Sequence, residues 1–203
     1  MATEIDPTRR LILLTVKENV SLTALDAETG DTVACIKVGT LNKSKPHELA
    51  VSADGTRAFV SLYGSADYGP NVPDNRIAVV DLTDMTLIGH IDLNLYKGPH
   101  ALVVDRVDGS RCVLVIDTDS YEIVQTIWLQ TPGHFLAATP DGKTLYASSK
   151  EYPVITEIDI ESRSITAQIA VPVGAQAIRV SQDGSQLFVG DFHRPLLHVI
   201  DCA

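Results

Sequence analysis

Apolar and polar positions alternate along most of this chain in short runs, and turn chemistry separates the runs. From Pro132 to Val171 the sequence reads PGHFLAATPDGKTLYASSKEYPVITEIDIESRSITAQIAV. Phe135 to Thr139 forms one run, ended by Pro140, Asp141 and Gly142, where proline presets φ and glycine accepts a positive one. Thr144 to Ser148 and Val154 to Asp159 are the next two runs. Ile165, Ala167, Ile169 and Val171 then recur at the period of two that marks a strand. Four strands within about 40 residues predict one blade of a β-propeller.

Two markers let the repeats be counted along the rest of the chain. The first is an apolar residue followed by aspartate at the end of a third strand, at Asp26, Asp81, Asp117, Asp159 and Asp201. Such a carboxylate accepts backbone N–H groups in the turn that follows, so its return is read as turn chemistry and not as catalysis. The second is an Asp-Gly turn between first and second strands, at Asp54-Gly55, Asp108-Gly109, Asp141-Gly142 and Asp183-Gly184. Asp117 to Asp159 and Asp159 to Asp201 are both 42 residues, a propeller period. The expected fold is therefore all-β, a single β-propeller domain over residues 1–203. It has about five blade-like repeats of mostly four antiparallel strands, approximately 1–39, 46–93, 99–129, 132–171 and 175–203.

The repeats are unequal. Between its Asp-Gly turn and its marker aspartate the second is longer than the fourth and fifth, and the extra residues fall in YGSADYGPNVPDNR, between its second and third strands. The third is shorter by about as much, which predicts a three-stranded blade with an irregular stretch from Arg106 to Arg111. The terminal repeats are also incomplete: only a short innermost strand is available before Pro7, and HVIDCA stops where the other repeats begin an outermost strand. An unfinished edge exposes backbone donors and acceptors, so the chain is expected to be an open arc or to self-associate there, the alternative being a five-bladed ring that residues before Leu11 complete.

Composition narrows the function classes. A net charge of -10 with only 16 Lys and Arg argues against a nucleic-acid footprint. No apolar run reaches the roughly 20 residues of a membrane-spanning helix, and the N-terminus lacks the basic-then-apolar order of a signal peptide, so a cytoplasmic location is expected. Cys35, Cys112 and Cys202 fit neither a zinc spacing nor a disulfide framework and are expected to be reduced and mostly buried. Trp128 is expected to pack between blades.

The repeats resemble the YVTN-type, lactonase-like or surface-layer-like, β-propeller family. The resemblance lies in PHELAVSADGTRAFVS from Pro46, PGHFLAATPDGKTLYAS from Pro132 and SQDGSQLFVGD from Ser181, and in the endings RIAVVDLTDMTLIGHI and VLVIDTDSYEIVQTI. It covers nearly the whole chain and implies the fold. Members of that family commonly close rings of more blades, so this chain resembles a shortened form. The repeat motif is structural, and no catalytic signature carries over.

Two residue sets are expected on one face, where first strands begin and the loops between second and third strands lie. His47, His100 and His134 each stand two positions before the leucine of a first strand, with Gln176 in the matching place of the fifth repeat. Three imidazoles converging on a channel would suit zinc, copper or iron. The plainer reading is that Pro-His simply opens the strand. The second set is a loop surface for ligand binding: Tyr63, Asp67 and Tyr68 in the insertion, Lys150 and Tyr152 in the fourth repeat, and His193 and Arg194 in the fifth, joined by Gln176. No cofactor fingerprint is present. Three readings stay open: a scaffold for a small molecule or protein partner, a lactonase-like hydrolase or metal-dependent lyase, and a shortened, inactive form of a larger propeller.

Overall fold

The computed structural model describes residues 10–52, 54–64, 73–99, 103–106, 111–149 and 151–202, with the backbone alone for 103–106. Every described element is a β-strand, and no helix is long and apolar enough to cross a membrane. The chain divides into two compact units, residues 1–100 and 101–203.

In the first unit, β1 (Leu11–Val16), β2 (Ser21–Asp26) and β3 (Thr32–Lys37) form a three-stranded antiparallel meander. A second meander has four strands, β4 (Pro46–Val51), β5 (Arg57–Gly64), β6 (Pro73–Asp81) and β7 (Thr86–Asp92), followed by the two-residue β8 (Tyr96–Lys97). Alternation puts Leu22, Ala24, Ile36 and Val38 of the first sheet against Ala58, Val60, Leu62, Ala78 and Val80 of the second, all buried in one cluster. Each fully buried aliphatic side chain of the size of Leu22 or Leu62 contributes about 1.5–3 kcal/mol over its exposed state.

In the second unit, residues 101–129 hold three described strands, β9 (Val103–Arg106), β10 (Arg111–Ile116) and β11 (Ile123–Trp128). Arg106 and Arg111 themselves lie in strands, because the β9–β10 ladder runs out to Asp105 opposite Arg111. The rest of the stretch expected to be irregular lies outside the described residues. Next come the four-stranded meander β12 (Leu136–Ala138), β13 (Thr144–Ser148), β14 (Val154–Asp159) and β15 (Ser164–Ala170), and the three-stranded β16 (Ala175–Val180), β17 (Gln186–Asp191) and β18 (Leu197–Asp201). Ile155 and Val171 of the fourth sheet pack against Ile178, Leu187 and Val189 of the fifth. Val113 and Ile127 of β10 and β11 pack against Ala147 and Ile158.

The turns explain why the same residues recur. In the Asp-Gly turns, Asp54 accepts from the Thr56 amide, Asp141 from the Lys143 amide and Asp183 from the Ser185 amide, at 3.0 to 3.1 Å. The glycines that follow, Gly55, Gly142 and Gly184, have φ of 74°, 69° and 78°. At the third-strand ends, Asp26, Asp81, Asp117 and Asp159 accept amides two or three residues on, so these carboxylates are turn acceptors. Four residues after them stand Gly30, Met85, Tyr121 and Arg163, all left-handed with φ of 76°, 55°, 61° and 54°. Only the first of the four is glycine.

Three expectations change. Trp128 is 51% exposed, as the last residue of the outermost strand β11. Cys35 is exposed on β3, while Cys112 is buried and Cys202 half-buried. The insertion in the second repeat does not begin as free loop: it extends the β5–β6 ladder out to Gly64 opposite Pro73.

Candidate functional site

The described residues among those expected to carry function lie at the end of the sheets where first strands begin. In the first unit this end is built from the start of β4, the end of β5 and the start of β6. His47 sits at a β-bulge, since Pro46 pairs with Leu62 and Leu49 with Val60, leaving one extra residue on β4. Its carbonyl accepts from Thr15 Oγ1 of the first sheet at 2.7 Å. Tyr63 is the penultimate residue of β5, and its ring centroid lies 5.7 Å from that of His47, tilted by 53°. Gly98, at φ +66°, runs beside the same tyrosine: a Cβ there would meet Tyr63 Cε2 at 3.7 Å.

At the C-terminal end of the inserted stretch, on β6, lies a polar node that the sequence reading missed. Asp74 is 8% exposed and accepts from Ser44 Oγ at 2.6 Å and from Arg76 Nε and Nη2, both at 2.8 Å. Ser44, itself fully buried, also accepts from Arg76 Nη2 at 3.1 Å and from the Thr40 amide. Burial works against the Asp74 charge, and the bonds from Arg76 and Ser44 overcome it, holding the carboxyl below the usual carboxylate range. The node ties the β3–β4 connection to the start of β6. Its signal in the sequence is the i, i+2 spacing of Asp74 and Arg76, which puts both on one side of a strand.

In the second unit Ser148 joins two of the predicted positions. Its carbonyl accepts from the His134 amide at 2.8 Å, and its hydroxyl donates to the Gln176 carbonyl of the next sheet. The Phe135 amide donates to the same hydroxyl at 3.2 Å, as the Glu48 amide does to Ser61 Oγ at 3.0 Å. Thr15, Ser61 and Ser148 occupy one repeat position, four residues beyond the strand residue opposite the marker aspartate. His134 is half-buried, with its ring edge-on to Phe135 at 4.5 Å. Gln176 is 5% exposed and stands at the same kind of bulge, between the pairs Ala175–Asp191 and Ala177–Gly190. Its Oε1 is buried without a hydrogen-bond donor among the described residues.

Asp191 organises the loop that follows β17. One oxygen accepts the amides of His193 and Arg194 at 2.9 and 3.0 Å; the other takes Arg194 Nε at 2.9 Å, Arg194 Nη2 at 2.6 Å and His198 Nε2 at 3.4 Å. The Arg194 guanidinium, ahead of the other bonds, holds the Asp191 carboxyl well below its ordinary range. His193 is exposed and lies over Gly174, where any Cβ would come within 2.5 Å of its Cδ2. Tyr152 is 40% exposed and carries the Arg111 guanidinium 5.2 Å from its ring centroid.

Within the second unit, then, His134, Gln176, His193 and Arg194 are linked through Ser148 and Asp191, and within the first unit His47 meets Tyr63. Asp67, Tyr68, Lys150 and His100 lie outside the described residues. Among the described residues no group of three or more His, Cys, Asp or Glu could hold a metal ion. His47 and His134 belong to separate units.

No protein-family model and no curated protein sequence matches this chain. Among solved structures it is similar to a chain of Kuenenia stuttgartiensis hydrazine synthase, with a TM-score of 0.62 at 15% identity, over 95% of this chain and 80% of that one. A likeness at that identity speaks for fold alone, and the fold is all-β and β-propeller-like, built of three- and four-stranded antiparallel meanders.

Proposed function

We propose that this chain is a binding scaffold of the YVTN propeller type that holds a small polar ligand or a protein partner at the loop-bearing end of its sheets. The observation that carries this reading is Gln176. A buried amide oxygen without a donor costs about 1–3 kcal/mol, so a strand that keeps one at the mouth of a sheet is placed to accept a hydrogen bond from a bound molecule. Ser148 and the bulge fix its backbone, and the Asp191-capped loop stands on the neighbouring strand. Recurrence of the Asp-Gly turn geometry at residues 54, 141 and 183 supports the repeat type.

The test is a thermal-shift screen of hydroxylic, amide and lactone ligands on the purified chain and on Gln176→Leu, which keeps the volume and removes the acceptor. A ligand that raises the Tm of the parent and not of the variant is expected. A panel in which no ligand stabilises the parent, or in which both proteins shift alike, refutes the reading.

A further inference from the structure

We infer that Cys35 is a site of S-thiolation, where a low-molecular-weight disulfide of the glutathione type exchanges with the chain. The site lies on β3 in the first unit and does not depend on the ligand-binding reading.

Strand pairing builds a small polar cluster around this sulfur. Cys35 stands opposite Thr23 and Lys37 opposite Ser21, so all four side chains share one face of the first sheet. Thr23 Oγ1 donates to Cys35 Sγ at 3.7 Å. Ser21 stands diagonally across from the cysteine and is fully buried, and its Oγ has no hydrogen-bond partner of ordinary geometry among the described residues. A neutral thiol is a weak acceptor, whereas a thiolate accepts strongly from both hydroxyls. Ionisation of Cys35 therefore satisfies a buried donor that no other described group serves. The thiol pKa is lowered accordingly, first by Ser21 and then by Thr23, with burial opposing them and Lys37 adding its charge. Lys37 Nζ also donates to the Asn19 carbonyl, which holds the cation against the sheet.

Exposure at this register position is a property of the outermost strand. β3 is the edge of its sheet, separated from β1 by β2. In the second and fourth sheets the matching residues, each just before the isoleucine that faces the third strand, are His90 and Gln168, and both are exposed. The fourth sheet is packed on both faces, against the third and the fifth, and Gln168 still reaches solvent. Cys35 is exposed in the same way, while Cys112 is buried and Cys202 half-buried.

The ionised Sγ attacks one sulfur of the small disulfide. A new S–S bond to Cys35 forms, the original S–S bond breaks, and the other half departs as a thiolate that takes a proton from water. Cys35 is oxidised and the departing thiol reduced, so the disulfide is the whole of the oxidant.

The experiment treats the full chain with oxidised glutathione at a series of pH values and follows adducts by intact mass and peptide mapping. An adduct on Cys35 is expected before any on Cys202, with a rate that rises through a midpoint below about 8.5, the value of an ordinary thiol. Ser21→Ala combined with Thr23→Val is expected to return the midpoint to that value and to slow exchange at pH 7 roughly threefold, with the circular dichroism of the parent. Cys35→Ser is expected to abolish the early adduct. Absence of an adduct on Cys35, earlier reaction at Cys202, or a parent midpoint at or above that of an ordinary thiol overturns the proposal, as does a midpoint that the folded double variant leaves unmoved. The parent profile decides the matter by itself where the double variant loses its fold.

Discussion

Asp183 keeps its negative charge far into acid because Ser181 Oγ, the Ser185 amide and Ser185 Oγ all donate to it, and its pKa is lowered to about 2. Asp54 is held at about 2 by the same arrangement, and Asp117, Asp141 and Asp159 are also lowered by hydrogen bonds within their turns. A carboxylate with a depressed folded pKa stabilises the fold above its unfolded value and loses that contribution as pH falls through the folded one. Thermal stability is therefore expected to be flat down to about pH 4 and to fall between about pH 4 and pH 2. Replacing Asp54 and Asp183 together by Asn should flatten that decline, measured as Tm against pH. The left-handed turn position gives a second expectation. Arg163 is exposed at φ 54°, where a Cβ is strained, so Arg163→Gly is expected to raise stability by about 1 kcal/mol in denaturant titrations. Aspartate and Asp-Gly markers were legible in the sequence because their chemistry is satisfied within three residues. Exposure of Trp128 and Cys35 was not, since composition says that such side chains prefer burial and cannot say which lie on an outermost strand.

Ser148 shows what an element-level contact adds to the repeat. Its hydroxyl accepts from the Phe135 amide within its own sheet and donates to the Gln176 carbonyl of the next, at 1% exposure. Ser148→Ala is expected to cost about 1–3 kcal/mol, read from the denaturant midpoint, because the bond to the Gln176 carbonyl is buried and would be lost. In the fifth sheet the same repeat position is Gly190, where an added Cβ would meet the Ala177 Cβ at an ordinary 3.5 Å. Gly190→Ser is expected to restore the hydroxyl beside the Ala177 amide and to raise stability by roughly 0.5–1.5 kcal/mol. None of this could be read from the chain alone. A bulge at His47 or Gln176 is a register shift, and register emerges only when two strands are paired. The insertion was legible in place and not in form: its length is plain in the sequence, while the pairing of Gly64 with Pro73 depends on the ladder continuing past the rest of the sheet.

At the scale of the whole molecule, each of the two units is stabilised by sheets packed against one another, with no helix among the described residues. Ile155 is fully buried between the fourth and fifth sheets, so Ile155→Ala is expected to cost about 2–5 kcal/mol. The urea midpoint should fall with the slope unchanged. The period of the repeats made this architecture legible from two aspartates 42 residues apart, because a propeller-type blade must return to the same turn each time it adds a sheet. Sites were less legible than blades, since a loop position is set by its scaffold and its chemistry by neighbours drawn from other strands. One consequence follows from the lengthened β5–β6 hairpin. A segment added beyond Gly64 and Pro73 hangs from the end of a paired ladder, outside the buried cluster that ends at Leu62, and lengthening a loop costs only about 0.6 kcal/mol per doubling. Gly64 and Pro73 thus frame a grafting port, between which foreign recognition sequences can be exchanged like the bit of a drill while the paired strands keep their register.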